Sequence, residues 1–365
     1  MGSVGQRFVS GPTYDAEVKL FGRTIQSIGG RSIRTIVKGP PPESAKASVL
    51  FIHGTGGRAA QFRHQFQIME KSLPDFRLLS VDMQGHGESD RPTDSDSHYT
   101  PAELTTTLLS FLQEERKEHK GDGPHSLVLV GHSLGTLLAL LLFKRLCLEA
   151  KDAFKIHGLC LAGGRAKPLA LPGWMLSMPA WILEIMRPLF REKSNQALFF
   201  DRAVSEGEGG EGKGEDECLG LKGKALETYE NNATSQNPMF VIRALGRGMS
   251  ASDMWKQEIE TVLDLFQPPN EGDGQSEAAD TSRPMPKVFL AAGRHDSLCP
   301  PSESEEMARI LRERMGRGGQ KEAEGEDVVS VKVYEDCAHN FFMEASTVGA
   351  FSEDLVAFVN RCLEC

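Results

Sequence analysis

The stretch Leu127-Val128-Leu129-Val130-Gly131-His132-Ser133-Leu134-Gly135-Thr136-Leu137-Leu138 decides how this chain folds. Four consecutive aliphatic residues ended by a glycine read as a short strand buried on both faces, as in a parallel sheet. The run from Leu134 to Leu142 is apolar around most of its circumference and is rich in good helix formers, so it reads as a buried helix. Ser133 therefore sits at the apex of a tight strand-to-helix turn. Gly131 and Gly135 let neighbouring backbone approach, and the serine Oγ points out of the sheet, the arrangement of a nucleophile elbow. A nucleotide-binding turn is the rival reading, but the segment has neither the dinucleotide glycine fingerprint nor the lysine of a phosphate loop.

Outward from this turn, short apolar runs alternate with helical patterns. Residues 49–53, 77–82, 126–131, 156–162, 287–293 and 328–334 read as strands, and 60–71, 102–119, 134–150, 301–315 and 348–362 as helices. That alternation predicts a mostly parallel sheet with helices on both faces. Residues 17–28 and 31–38 suggest an antiparallel hairpin turned at Gly29-Gly30. Between Gly164 and Pro286 no strand is convincing, which divides the chain into a core of 17–164 and 286–362 and an insertion of 165–285. The first part of the insertion, 168–190, is dense in Leu, Met and Trp and broken by Pro172, Pro179 and Pro188, a pattern of short helices. The tracts 205–216, 268–280 and 316–327 are rich in Gly, Glu and Asp and offer too little apolar area to offset the entropy of ordering.

A serine hydroxyl needs a base to take its proton, and ten histidines compete for that role. His339 has the best position, in the loop Glu335-Asp336-Cys337-Ala338-His339-Asn340 just after the last strand. His53 and His86 lie in loops after earlier strands, His132 sits inside the turn pointing away from Ser133, and the others fall on surfaces or element ends. The imidazole in turn needs a carboxylate to fix its tautomer. Asp296 fits, in Gly293-Arg294-His295-Asp296 at the carboxyl end of the penultimate strand, where ligand sites form in open α/β sheets. The loop His53-Gly54-Thr55-Gly56-Gly57 offers the backbone N–H of Thr55 as an oxyanion donor beside that of Leu134.

Taken together, His53-Gly54, Asp82-Met83-Gln84-Gly85-His86-Gly87-Glu88-Ser89, Gly131 to Gly135, Gly293 to Asp296 and His339 resemble the α/β-hydrolase superfamily, in the lipase and esterase group with an inserted lid. The resemblance spans roughly residues 49–362. It implies the α/β-hydrolase fold with an eight-stranded sheet, a Ser133-Asp296-His339 triad, a helical lid inserted after strand 6, and no cofactor or metal. The reaction expected is cleavage of a carboxylic ester through an acyl-enzyme; the Met, Leu and Trp of 168–190 suggest an apolar acyl or alkyl group beneath the lid, and packing of the lid onto the sheet accounts for them equally well. Relatives that open epoxides or remove halogen use an aspartate where this chain has Ser133. Relatives that transfer acyl groups to lysophospholipid carry an aspartate five residues after the histidine; here that position is Glu344. Two other readings remain: a thioester or carbon–carbon bond hydrolase with the same triad, and a hydrolase-like binding protein without turnover.

Composition limits the partners. A formal net charge of -10 over 365 residues, with no basic run, argues against nucleic acid; the partner expected from the motifs is a small-molecule ester or lipid substrate. Seven scattered cysteines fit reduced thiols and point to the cytoplasm. The C-terminal Cys362-Leu363-Glu364-Cys365 satisfies neither a prenylation box nor a paired metal site. Residues 174–190 could meet a membrane surface transiently through their Trp and Leu, although the run lacks a strong basic face. Oligomeric state is not legible.

Overall fold

The computed structural model describes residues 12–118, 123–167, 173–200, 221–250, 258–267, 285–316 and 328–364. Eight strands, β1 (Thr24–Ile28), β2 (Arg31–Lys38), β3 (Ala47–Ile52), β4 (Phe76–Val81), β5 (His125–His132), β6 (Phe154–Ala162), β7 (Lys287–Gly293) and β8 (Val329–Tyr334), form one sheet ordered β1-β2-β4-β3-β5-β6-β7-β8. Strand β2 is antiparallel to both neighbours, and every pairing from β4 to β8 is parallel. Helices α1 (Pro12–Phe21), α2 (Arg63–Ser72), α3 (Pro101–Lys117) and α4 (Leu134–Glu149) precede β6 or flank it. Helices α5 (Gly173–Ser177), α6 (Ala180–Leu198), α7 (Gly223–Thr234), α8 (Met239–Ser250) and α9 (Glu260–Asp264) lie between β6 and β7. Helices α10 (Pro301–Gly316) and α11 (Val348–Leu363) complete the chain.

The alternation of side chains along each strand divides the core in two. Leu50, Leu79, Leu127, Leu129, Leu159 and Leu161 face α3, α4 and α10, while Val49, Phe51, Leu78, Val128, Val130 and Cys160 face α2 and α11. With both faces covered, β3 to β7 must be apolar almost throughout, which is why they read as unbroken hydrophobic runs. Gly29 and Gly30 both have positive φ, 55° and 78°, as the tight β1–β2 hairpin requires.

Two expectations are corrected. Residues 17–21 belong to α1 and not to a long first strand: the helix opens at Pro12, carries Asp15 in its first turn and stops at Gly22, whose φ of 74° ends it in the left-handed conformation. The segment around Pro188 is one continuous helix of 19 residues, α6, which passes the proline at the cost of one backbone hydrogen bond. Tracts 205–216 and 268–280, and 317–327 of the third tract, lie outside the described residues. No described helix is long and apolar enough to cross a membrane.

A buried charge network ties the inserted helices to the core. Arg58, in the loop after β3, donates from Nε to Glu17 of α1 at 2.6 Å and from Nη1 to Glu230 of α7 at 2.7 Å; Arg63 Nη1 donates to the other Glu230 oxygen at 2.8 Å. All four side chains are buried. Burial pushes the Glu230 carboxyl up, but the guanidiniums of Arg58 and Arg63 outweigh it and hold the group at about 2. A carboxyl depressed in the folded state contributes stability that is complete above its ordinary 4.5 and is lost as pH falls toward about 2. Glu230→Gln is expected to cost about 3–5 kcal/mol in urea unfolding at pH 7, because it removes the carboxylate shared by two buried guanidiniums and leaves Glu17 as the one anion paired with Arg58 among the described residues, and to flatten the loss of stability between about pH 4.5 and 2. A cost under about 1 kcal/mol would contradict the network's role.

Candidate active site

The turn between β5 and α4 is built by steric necessity. A Cβ on Gly131 would lie 2.3 Å from the Gly135 carbonyl oxygen, and one on Gly135 would lie 2.0 Å from that of Ile52. Only glycine lets helix and strand come this close. Ser133, between them, has φ 54°, a left-handed conformation that a serine holds only where the surroundings enforce it. Its N–H donates to Ala162 at 2.9 Å, and its carbonyl accepts from Thr136 N–H at 2.9 Å and Thr136 Oγ1 at 2.7 Å. With its backbone fixed from both sides, Ser133 is half exposed on the wall of a cavity of about 540 Å³.

His339 lies on the same cavity wall. Its Nδ1 is 2.6 Å from Asp296 Oδ2, and both residues are buried. The carboxylate only accepts, so Nδ1 carries the proton and Nε2 is left with a lone pair. Asp296 Oδ1 accepts from the N–H groups of Leu298 at 2.9 Å and Cys299 at 2.7 Å, which fixes the carboxylate's orientation. Gly163, with φ 61°, lies against the ring: a Cβ there would be 3.2 Å from His339 Cε1. Thr55 and Leu134 line the cavity beside Ser133, and their N–H groups donate to no described residue. Asp296, Cys299 and His339 also present ligand atoms within 4.8 Å of one another. A cation there would have to displace the Asp296–His339 contact, and burial followed by the charge of Asp296 pushes the Cys299 thiol up to about 12.

The histidines that compete for the base turn out to hold the loop that carries Thr55. His53 Nδ1 donates to the Gly54 carbonyl at 2.8 Å, and its Nε2 accepts from Met83 N–H at 3.0 Å. His86 Nδ1 donates to the Gln84 carbonyl at 3.0 Å, and its Nε2 accepts from Gly56 N–H at 3.1 Å. Asn237, just before α8, donates to the Gly56 carbonyl at 2.6 Å. Asp82 accepts from Ala59 N–H at 2.7 Å and from Glu88 N–H at 2.9 Å, so the motif around it braces the same loop. Gly54 packs so tightly that a Cβ would lie 2.8 Å from Ser133 Cβ.

Neither Asn237 nor the clamping role of Glu344 has a local signal in the sequence. Glu344 accepts from Ala338 N–H at 2.8 Å and Phe200 N–H at 2.9 Å, clamping the His339 loop to the end of α6. The apolar residues of 173–190 divide between the cavity and the surface. Met175 and Phe190 line the cavity, whereas Trp174, Trp181, Ile185 and Leu189 face outward with half or more of their surface exposed. Arg187 and Arg191 take the inward face of α6, a signal present in their four-residue spacing.

Comparison with known proteins gives the family and the fold. Residues 49–351 match the alpha/beta hydrolase family, and the chain belongs to it. It is 26% identical over 163 residues to the AB hydrolase superfamily protein YisY of Bacillus subtilis (strain 168), a match covering 43% of this chain and 55% of that protein, so it spans about half the length of that curated relative. Among solved structures it is similar to the esterase EaEST of Exiguobacterium antarcticum (TM-score 0.60, 16% identity, 92% of this chain and 99% of that one) and to the epoxide hydrolase VrEH1 of Vigna radiata (TM-score 0.59, 15% identity, 94% and 99%). At such identity the likeness is one of fold, shared by different chemistries.

The neutral histidines yield a direct test. Burial lowers His53 to about 4 and His86 to about 3, and burial followed by the neighbouring His339 holds His132 well below the ordinary 6.5. Each is neutral above its lowered pKa. In imidazole ¹⁵N spectra all three are expected to keep one neutral tautomer from pH 5 to 8; titration of any of them within that range would contradict the assigned hydrogen bonds.

Proposed function

We propose that this protein is a serine hydrolase that cleaves carboxylic esters through an acyl-enzyme, with Ser133 as nucleophile, His339 as general base and Asp296 as the residue that orients it. The observation that carries the proposal is the buried 2.6 Å contact between His339 Nδ1 and Asp296, which leaves Nε2 as the free ring nitrogen on the cavity that also holds Ser133. A hydroxyl gains nucleophilic strength from such a base.

In the first half-reaction Ser133 Oγ attacks the ester carbonyl while His339 Nε2 takes its proton. The carbonyl oxygen becomes an oxyanion facing the unoccupied N–H groups of Thr55 and Leu134, and a lost donor of this kind typically costs about 10²–10³ in rate. Collapse expels the alkoxide, which takes the proton from His339 and leaves as the alcohol. Water then attacks the acyl-serine with His339 again as base, releasing the carboxylic acid and restoring the serine. Asp296 stays ionised throughout and stabilises the imidazolium.

Leu134, Leu137, Phe190, Leu198, Met239 and Ile242 give the cavity apolar walls suited to an acyl or alkyl chain. We assign residues 165–285 as the lid over that cavity, an assignment supported by the cavity-lining residues of α5, α6 and α8. The exposed ridge of Trp181, Ile185 and Leu189 supports transient contact of this lid with a lipid surface.

Ser133→Ala is expected to abolish labelling by a fluorophosphonate probe while thermal melting stays near that of the parent protein; full labelling would overturn the nucleophile. Asp296→Asn should lower kcat on p-nitrophenyl esters by about 10⁴, because the amide favours the wrong tautomer. A near-parental rate would show that another group holds the histidine.

A further inference from the structure

The cavity wall is positively charged in a protein of net charge -10. Arg165, Lys167, Arg187, Arg191 and Lys193 line it, against a single carboxylate, Glu230. Part of this set is already neutralised. Arg165 pairs with Glu303 at 3.3 Å and donates to the Leu298 carbonyl. Arg187 pairs with Glu184 at 2.6 Å and donates to the carbonyls of Ser235 and Asn237. Glu230 is engaged by Arg58 and Arg63. Arg191, Lys193 and Lys167 remain, and among the described residues none of them forms an ion pair within 4 Å.

Arg191 is the informative member. It stands one turn after Arg187 on α6, on the face shared with Phe190 and Ser194 that lines the cavity. It is half-buried, burial followed by the like charge of Arg187 lowers its pKa, and among the described residues no carboxylate forms an ion pair with it. Arg187 is balanced by Glu184, whereas Arg191 presents a partly desolvated guanidinium to the cavity, and an anion beside it would supply the missing counter-charge. The planar fork of arginine suits a carboxylate or phosphate in two-point contact. Lys193 and Lys167 are exposed and act as point charges that raise the local concentration of an anion.

We propose that the substrate carries an anionic group, a carboxylate or a phosphate, and that Arg191 forms the subsite that binds it, with Lys193 and Lys167 lining the same cavity. This deepens the ester-hydrolase reading and rests on it.

The test compares p-nitrophenyl hexanoate with mono-p-nitrophenyl adipate, which share chain length, reacting carbonyl and leaving group and differ in one carboxylate. The parent protein is expected to prefer the adipate by about tenfold or more in kcat/KM, a free-energy difference of about 1.4 kcal/mol. Arg191→Gln should bring that ratio near one, and Arg309→Gln, which removes an exposed cation outside the cavity lining, should leave it unchanged. Adipate and inorganic phosphate as competing inhibitors separate the two anion classes, the tighter one identifying the group. Equal use of both esters by the parent protein, or an unchanged ratio in Arg191→Gln, would overturn the anion subsite and leave the hydrolase reading standing. No turnover of either ester together with no probe labelling at Ser133 would overturn both.

Discussion

The site depends on one backbone constraint: strand β5 and helix α4 meet at Ser133 with no room for a side chain on either flank. Gly131 and Gly135 permit the contact, the residue between them is driven to φ 54°, and that conformation lifts its side chain off the sheet. Strain of this size, about 1–3 kcal/mol, persists only where the surrounding structure enforces it. Here the enforcement comes from two buried cores, since β5 contributes Leu127 and Leu129 to one and Val128 and Val130 to the other. The fold and the exposure of the serine are consequences of the same packing.

The opposing loop is held by a different means. It contains Gly54, Gly56 and Gly57, and its own conformational preferences are therefore weak. Neutral imidazoles of His53 and His86 each donate to one backbone carbonyl and accept from one backbone N–H, which cations could not do. From below, Asp82 accepts the Ala59 N–H; from the inserted helices, Asn237 and Glu230 reach the Gly56 carbonyl and Arg58. The His339 loop is anchored to the insertion in the same manner, because the N–H groups of His339 and Asn340 donate to the carbonyls of Ala197 and Leu198 at the end of α6. The insertion is thus wired to both halves of the site, and its movement would be felt at each.

How much of this was legible in the sequence follows from the range of the interactions. The elbow is local, so Gly131 to Gly135 between an apolar strand and an apolar helix declared it. The parallel strands were equally plain, since burial on both faces makes them continuous apolar runs. Residues 17–21 read as strand in the sequence because what holds α1 is the distant pairing of Glu17 with Arg58. Asn237, Glu230 and Glu344 were silent for the same reason: each acts across more than a hundred residues or through a turn whose path only the fold reveals. His53 and His86 lie in recognisable glycine-rich motifs, but their service as neutral clamps depends on the tertiary arrangement. The four-residue spacing of Trp181, Ile185 and Leu189 puts them on one face of α6, but which face meets solvent is set by packing and not by composition.

The central claim is that Ser133 carries the acyl group between two half-reactions. Rapid-quench mass spectrometry during turnover of a p-nitrophenyl ester tests it most directly. The account predicts a burst of p-nitrophenol matched by an adduct of the acyl mass, mapped to the peptide containing Ser133 and absent in Ser133→Ala. Steady release of p-nitrophenol with no covalent adduct at any time, or an adduct on another residue, would contradict it.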